Sequence, residues 1–249
     1  MQTTEDAFLG GRLVVTQPAR GYRAGLDPLL MAAAVPARTG QSGLELGCGV
    51  GVASLALGLR VPGLDLAALE IQPALARLAR ENAARNGVTL DVVEGDVARM
   101  PAALRARRFD HVLLNPPWFE RNASVPAADP SRETGLGEGA PLDVWLTQAA
   151  RRLAPRGVLT LIHRAERVPD ILRALPATVG ALELLPLLPR AGREARLVLL
   201  RGRAGGRAPF RLHAGLVLHE GAQHPGDREH YTPAVHAVLR EGAALDFPA

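Results

Sequence analysis

The sequence predicts an α/β fold in which a mostly parallel sheet carries helices on both faces. Three observations indicate this fold. Short apolar runs alternate with stretches of helical periodicity through most of the 249 residues. A glycine-rich turn, from Gly47 to Gly51, joins a short buried strand to an apolar helical stretch. Later in the chain, the apolar runs 181–188 and 195–200 are separated only by a short loop, which is typical of an antiparallel hairpin.

Each element is predicted from its own pattern. Strands are expected where short apolar runs are bounded by turn residues: 43–46, 64–69, 89–93, 109–114, 157–162, 181–188 and 195–200. Helices are expected where apolar residues recur at helical spacing: 52–59, 73–86, 142–153 and 168–175. Within the third of these helices, Trp145 is expected to lie in the core. The tail segments 212–219 and 231–239 are expected to pack on the same domain.

Local signals predict several element ends. Asp27 is expected to cap a helix that has Pro28 at its first position. The helix 73–86 begins with proline, and Asn86-Gly87 is expected to end it. The stretch 119–140 lacks apolar periodicity and is expected to be a long loop, either a lid or substrate loop or an insertion without function.

Length and composition limit the classes of protein to which the chain can belong. With 249 residues, 47% of them hydrophobic, it can bury the core of one domain with an appendage. No uncharged apolar run is long enough to cross a bilayer, so no membrane span is expected. The acidic N-terminus lacks the basic start of a signal peptide, and we expect a cytoplasmic protein. A single cysteine, Cys48, and the lack of a Cys/His cluster predict no disulfide and no metal site, with Cys48 as a packing residue.

The glycine turn has the chemistry of a site for a cationic ligand. Gly47, Gly49 and Gly51 are spaced G-x-G-x-G, which differs from the G-x-G-x-x-G of dinucleotide dehydrogenases. Glu45 lies two residues before the turn, where it would repel a pyrophosphate and attract an amine. About 20 residues beyond the turn, Glu70 ends a strand and can accept both hydroxyls of a ribose. Taken singly, the turn can lack a ligand and each acid can be a loop charge.

The tetrapeptide Asn115-Pro116-Pro117-Trp118 follows the strand 109–114 and can hold a flat amino group. The amide oxygen of Asn115 and the carbonyl of Pro116 can accept the two N–H donors of such an amine. Proline fixes φ, so this carbonyl is aimed by a stiff chain. Trp118 can stack on the ring that carries the amine. The competing interpretation is a strand-ending turn with a core tryptophan.

These motifs resemble those of the amino methyltransferases that use S-adenosylmethionine. Their order is the glycine turn, the acid Glu70, Gly95-Asp96 and the Asn-Pro-Pro-Trp segment. Over about residues 10–240 the chain resembles the bacterial tRNA adenine-N6 methyltransferase family. Further support comes from Gly-Tyr-Arg-x-Gly-x-Asp-x-Leu-Leu before the glycine turn and from Val217-Leu218-His219-Glu220 and Tyr231-Thr232 in the tail. The chain departs from the family at Trp118, where Tyr or Phe is commoner, and in having no lysine.

The resemblance implies a Rossmann-like class I methyltransferase fold with a seven-stranded, mostly parallel sheet and a terminal antiparallel hairpin. It implies one domain, 1–249, with an N-terminal segment that closes over the cofactor (1–40), a catalytic core (41–202) and a C-terminal extension (203–249). Tyr22 and Asp27 of the closing segment are weaker cofactor candidates. The implied cofactor is S-adenosyl-L-methionine, held by Glu45, Gly47, Cys48, Gly49, Gly51, Glu70, Ile71, Asp96, Val97 and Asn115.

The implied reaction is direct methyl transfer to an exocyclic amine, with adenine N6 in a tRNA as the first expectation. The target base is extruded and held by the catalytic residues Asn115, Pro116, Pro117 and Trp118. Glutamine N5 methylation of a release factor, guanine-N2 methylation of ribosomal RNA and a non-catalytic module that binds cofactor and RNA stay open. No oligomeric state is predicted.

Arginines are concentrated near the C-terminal third of the chain. Residues 190–211 hold seven arginines and one acid, a net charge of +6 where the whole chain has +4. A guanidinium binds phosphate oxygens bidentately, so this segment predicts contact with RNA. The candidates are Arg190, Arg193, Arg203 and Arg207. The competing interpretation is a solvated loop with charged flanks.

Overall fold

The chain begins with a β-hairpin that the sequence did not predict. In the computed structural model, which describes residues 1–21, 23–117, 140–221 and 230–247, β1 (Thr3–Phe8) pairs antiparallel with β2 (Leu13–Pro18). The first strand reads Thr-Thr-Glu-Asp-Ala-Phe and is mostly exposed. Because it has no regular alternation of apolar and polar residues, periodicity does not reveal it.

The central sheet contains the seven predicted strands. They are β3 (Ser42–Leu46), β4 (Asp65–Glu70), β5 (Asp91–Glu94), β6 (Phe109–Leu114), β7 (Leu153–Arg164), β8 (Val179–Leu188) and β9 (Leu197–Ala204). Their spatial order is β8-β9-β7-β6-β3-β4-β5, and β9 runs antiparallel to both of its neighbours. The expected mostly parallel sheet with a terminal antiparallel hairpin is confirmed. Two short strands, β10 (Arg211–Leu212) and β11 (Leu216–Val217), pair parallel with the outer side of β8. With them the sheet has nine strands.

Seven α-helices lie within the described residues. They are α1 (Asp27–Ala34), α2 (Val52–Arg60), α3 (Pro73–Arg85), α4 (Ala102–Arg105), α5 (Leu142–Arg152), α6 (Val168–Ala174) and α7 (Pro233–Glu241). Asp27 is the first residue of α1 and Leu26 is its N-cap, so the expected capping position of Asp27 is wrong by one residue. Asn86 follows α3, and Gly87 has the positive φ of 65° that commonly ends a helix. No described helix is long and apolar enough to cross a membrane.

Helices cover the sheet on both faces. One apolar core includes side chains of α1, α2 and α7, and a second includes side chains of α5 and α6. Along β6, Leu113 belongs to the first core, whereas Val112 and Leu114 belong to the second. This alternation explains why the strand is apolar without interruption near its end. Trp145 lies in the second core and is 8% exposed, as expected.

Asn82 of α3 and Asn86, which follows α3, hold the N-terminal hairpin against the domain. Asn82, which is 1% exposed, accepts from the Thr16 N–H at 2.8 Å and donates to the carbonyls of Thr16 and Val50, both at 3.1 Å. One turn later, Asn86 accepts from the Val14 N–H at 3.0 Å and donates to the Val14 carbonyl at 2.8 Å. The two amides therefore pair with β2 as a neighbouring strand would. Asn82 also connects the hairpin to the glycine turn.

The C-terminal tail is bound to β9 of the central sheet. Arg201 of β9 donates to the carbonyls of Ala34 and Leu245, the latter at 3.1 Å. Its guanidinium carbon lies 3.9 Å from the ring centroid of Phe247, which is a cation–π contact. This arginine therefore ties the end of α1 to the tail.

We predict that Asn82→Ala lowers the free energy of unfolding by roughly 2–4 kcal/mol, because the part-buried N–H and carbonyl of Thr16 and the buried carbonyl of Val50 lose their partner. Chemical denaturation measures the change. Asn86→Ala is the matched control, since it removes the same amide from a half-buried position that contacts β2 but not Val50; about 1 kcal/mol is expected. Equal losses in the two variants would show that the buried contact of Asn82 with the glycine turn contributes no stability.

Candidate active site

Four chain segments leave the central sheet at the same edge. β6, β3, β4 and β5 are parallel neighbours in that order, so their carboxyl ends share one edge. They lead directly into Asn115, Gly47, Ile71 and Gly95. With about 4.8 Å between neighbouring strands, the four ends span about 14 Å. Motifs that are far apart in the sequence therefore meet along one edge.

The glycine turn is held from below by the sheet and from the side by α5. The N–H groups of Gly47 and Cys48 both donate to the Leu69 carbonyl, at 2.8 and 3.1 Å. Gly47 has a φ of 70°, and a Cβ atom there would lie 2.7 Å from Cη2 of Trp145, so a side chain is excluded. Gly49 also has positive φ, 56°, but a Cβ there would meet no described atom within 4 Å. The turn is thus fixed at Gly47 and open to a ligand at Gly49.

Cys48 is a packing residue, as expected. Its side chain lies in a small apolar cluster with Ala68, Ala76, Ala79 and Val92. Burial raises the pKa of the thiol well above its usual value, and the carboxylates of Glu45 and Glu70 raise it further. The thiolate that a nucleophile requires is therefore disfavoured.

Glu45 is buried at the amino end of α2. Its Oε2 accepts from the Ser54 N–H at 2.9 Å and from the Ser54 hydroxyl at 2.5 Å. The carboxylate therefore occupies the positive end of the helix dipole, where a phosphate would otherwise bind. Its other oxygen has no hydrogen-bond partner within the described ranges. Burial nevertheless raises the pKa of Glu45 to about 7, and the charge of Glu70 adds to this effect.

Glu70 lies at the end of β4 and joins two loops. Its Oε2 accepts from the Gly49 N–H and its Oε1 from the Gln72 N–H, both at 2.8 Å. Burial raises the pKa of this carboxyl, although the backbone N–H groups oppose the rise. Each oxygen retains acceptor capacity for a further donor. The side chain thus fixes the glycine turn, and its expected contact with a ribose stays a prediction.

The next strand ends supply an apolar surface and a third carboxylate. Ile71 follows Glu70 and is 49% exposed, which is unusual for an isoleucine. Asp96 is half-buried and accepts from the Ala98 N–H at 2.8 Å, so it caps the short helical turn that follows β5. Val97 is buried in the second core. Of the two apolar residues predicted to contact the cofactor, Ile71 is the one that presents free surface.

The proposed amine-binding segment begins at the end of β6. Asn115 and Pro117 are half-buried, and Pro116 is buried. Leu46 and Leu114 are Cα partners in the pairing of β3 with β6, so Asn115 leaves the sheet beside Gly47. Trp118, Tyr22 and the predicted loop 119–140, except for Ala140 at its end, lie outside the described residues.

The structure does not bring the four RNA-binding candidates together. Arg190 and Arg193 lie in the loop between β8 and β9, at the carboxyl edge of the parallel strands. Arg203 lies near the other end of β9, opposite Val158, and Arg207 follows it.

Within the described residues there is no group of three or more His, Cys, Asp or Glu side chains that could hold a metal ion.

Sequence reasoning missed the residues that hold the predicted ones in place. Ser54 binds Glu45, Gln72 binds Glu70 through its backbone, and Asn82 binds the glycine turn at Val50. Trp145 was predicted only as core, although it also abuts Gly47. The spacing of Asn82 and Asn86, one helical turn apart, was the one available signal, because an amide on a buried helix face requires partners.

The chain is similar in sequence and in fold to several methyltransferases. Residues 25–185 match the family model described as the methyltransferase small domain. A tRNA1(Val) (adenine(37)-N6)-methyltransferase of Porphyromonas gingivalis is 32% identical over 67% of this chain and 68% of that protein. A release factor glutamine methyltransferase of Deinococcus radiodurans is 32% identical over 66% of this chain and 58% of that protein. A solved structure described as a predicted O-methyltransferase of Agrobacterium tumefaciens has a TM-score of 0.70 and 26% identity, covering 88% of this chain and 98% of that one.

We predict that affinity for S-adenosylmethionine rises with pH through the pKa of Glu45, which burial raises to about 7. Below that pKa the carboxyl must lose its proton before it attracts a cationic amino group, so affinity falls by up to about tenfold per pH unit. Calorimetry between about pH 6 and 7.5 measures the affinity. In this range the ligand's own amino group, with a pKa of about 8, stays protonated. Glu45→Gln keeps an acceptor for Ser54 but should bind weakly and independently of pH. An unchanged pH dependence in that variant would remove Glu45 from the site.

A second prediction concerns Glu70. Glu70→Ala should weaken binding of S-adenosylmethionine by about 1.5–3 kcal/mol, the range for hydrogen bonds to a charged group. Glu94→Ala is the matched control, because Glu94 is the Cα partner of Glu70 on β5 but forms a surface ion pair with Arg80 at 2.8 Å. Its effect on cofactor affinity should be negligible. Equal affinity in folded Glu70→Ala and wild-type proteins would contradict the assignment.

Proposed function

The chain belongs to the methyltransferase small-domain family and is an S-adenosylmethionine-dependent methyltransferase; we propose that it methylates the exocyclic N6 amino group of an adenine in a tRNA. The observation that carries the proposal is the pairing of β3 with β6. With Leu46 opposite Leu114, the glycine turn and Asn115-Pro116-Pro117 leave the sheet on adjacent strands, about 5 Å apart. A methyl donor held at the turn therefore lies beside an acceptor site for an amine.

Several groups along this edge support the binding of S-adenosylmethionine. Glu45 provides negative charge for the amino group of its methionine part, and Glu70 provides acceptors for the ribose hydroxyls. Ile71 offers an exposed apolar surface to the adenine ring, and Asp96 an acceptor to its amine. The open side of Gly49 allows a ligand to approach the backbone. When bound, this cofactor supplies an electrophilic methyl group on a sulfonium centre.

The residues after β6 orient the amine that receives the methyl group. The Asn115 side-chain oxygen and the Pro116 carbonyl accept its two N–H groups, which directs the nitrogen lone pair toward the methyl donor. The reaction then depends mainly on orientation. An adenine within an RNA helix cannot reach this site, so the base is extruded and Trp118 stacks on it.

A second candidate function is methylation of a glutamine side chain in a release factor. The relative from Deinococcus radiodurans supports it, and a carboxamide presents the same two N–H donors as an aminopurine. The exposed arginines at the active-site edge, Arg193 among them, favour RNA over a protein glutamine. Relatives named as tRNA methyltransferases in several bacteria favour RNA as well.

We predict that Asn115→Ala lowers the rate of methyl transfer by about 10²–10³, the usual loss for one positioned polar contact in an active site. Trp118→Ala should instead weaken retention of the extruded base by about 1–3 kcal/mol of stacking. Transfer from labelled cofactor into unmodified tRNA measures both effects, and the thermal denaturation midpoint of each variant is the control for correct folding. Wild-type transfer rates in Asn115→Ala would exclude the proposed amine site.

The same assay separates the candidate substrates. Unmodified tRNA and release factor are supplied to the wild-type protein in parallel, and nucleoside mass spectrometry identifies the methylated atom. Label in N6-methyladenosine supports the proposal. Label in the protein alone overturns it in favour of glutamine methylation, and label in N2-methylguanosine overturns the choice of base.

A further inference from the structure

The antiparallel strand β9 divides the arginine-rich segment between two edges of the sheet. β8 is antiparallel to β9, and β9 is antiparallel to β7, so β8 runs in the direction of β7 and β6. The loop that follows β8 therefore lies at the carboxyl edge, which also carries Asn115. Arg203 lies seven positions after Arg196, which corresponds to about 23 Å of extended strand. That distance exceeds the Debye length of about 8 Å at physiological salt. The arginines before β9 and those at its far end therefore act separately on a charged ligand.

The loop at the carboxyl edge is held in place by its neighbours. The Ala165 N–H donates to the Arg196 carbonyl at 2.9 Å, and the Arg196 N–H donates to the Leu187 carbonyl at 3.3 Å. The guanidinium of Arg190 donates to the carbonyls of Glu220 and Gly221, the latter at 3.1 Å. Arg190 is thus occupied in binding the C-terminal extension. The remaining arginines of the loop are Arg193 and Arg196.

Arg193 and Arg196 differ in their charge environment from Arg164 and Arg167, which follow β7 at the same edge. Arg164 forms an ion pair with Glu166 at 3.0 Å, and Arg167 forms one with Asp170 at 2.9 Å. Arg193 and Arg196 are both exposed, and their guanidinium groups have no ion pair or hydrogen bond among residues 1–21, 23–117, 140–221 and 230–247. Their positive charges therefore remain available to an anionic partner.

We propose that Arg193 and Arg196 bind phosphates of the RNA strand that carries the target base, and that Arg203 and Arg207 do not. The proposal rests on the proposed function. Strands β9 and β8 lie two and three positions from β6, or roughly 10–14 Å from the strand that leads to Asn115. At about 3.4 Å per stacked nucleotide, the contacted phosphates lie three to four nucleotides from the extruded base. Bidentate guanidinium contacts at that distance fix the register of the RNA without reading its sequence.

Two double variants with the same loss of charge test this assignment. Arg193→Gln with Arg196→Gln removes two charges from the carboxyl edge, and Arg203→Gln with Arg207→Gln removes two exposed charges from the opposite edge. The dissociation constant for unmodified tRNA is measured at several salt concentrations. The first variant should bind about 25-fold more weakly at 0.1 M salt, with the slope of log affinity against log salt reduced by about 1.4. The second should stay within about twofold of wild type, and both should bind S-adenosylmethionine normally.

The outcomes distinguish this proposal from the proposed function. Equal weakening in both variants would show that net charge alone matters, and unchanged binding in both would show a solvated surface; either result overturns the assignment. Weaker binding of release factor rather than tRNA in the first variant would also overturn it, in favour of a protein partner. If wild type binds tRNA but does not methylate it, the proposed reaction fails, while the comparison of salt slopes still decides the arginine contact.

Discussion

The site depends on two carboxylates that the fold buries beneath one glycine turn. Glu45 and Glu70 lie on neighbouring strands, each is 5% exposed, and each accepts hydrogen bonds from backbone N–H groups. Burial raises the pKa of both, and the charge of Glu70 raises that of Glu45 further. A pyrophosphate would add to this repulsion, whereas a ligand with cationic groups relieves it. Glu70 holds the glycine turn and Glu45 holds the start of α2. The same two side chains therefore set both the shape of the site and its preference for positive charge.

Side chains far from the reacting groups keep the glycine turn in this position. Trp145 closes the space beside Gly47, so α5 sets how far the turn can move toward the second core. From the other side, Asn82 binds Val50 and Thr16, and connects the turn to the N-terminal hairpin. A rigid turn is required if the methyl donor and Asn115 are to stay in line, since misplacement by a fraction of an ångström reduces the rate.

The sequence predicted the elements that have a strong pattern, and it missed those that depend on partners. The helix after the glycine turn and the strand Phe109–Leu114 were predicted almost to the residue. Both are apolar runs whose ends are marked by turn residues. The polar strand β1 and the two-residue strands β10 and β11 exist only through pairing with β2 and β8. Candidate site residues could be predicted from the sequence where a strand ends directly in a recognisable motif, as β4 does at Glu70. The partner of Glu45, Ser54, required knowledge of how α2 packs.

The distribution of arginines shows why a charge run in a sequence does not define a surface. Residues 190–211 form one cationic segment in the sequence, but an antiparallel strand carries its two ends to opposite edges. One of its members, Arg201, is half-buried and already occupied, because its guanidinium binds the Ala34 carbonyl and makes a cation–π contact with Phe247. The C-terminal extension adds a further constraint: Leu218 and His219 donate to the carbonyls of Leu188 and Pro189 at 2.8 and 3.1 Å. The extension thus holds the loop that bears Arg193 and Arg196 at the active-site edge. If these two arginines contact RNA as we propose, the extension contributes to substrate binding by positioning that loop.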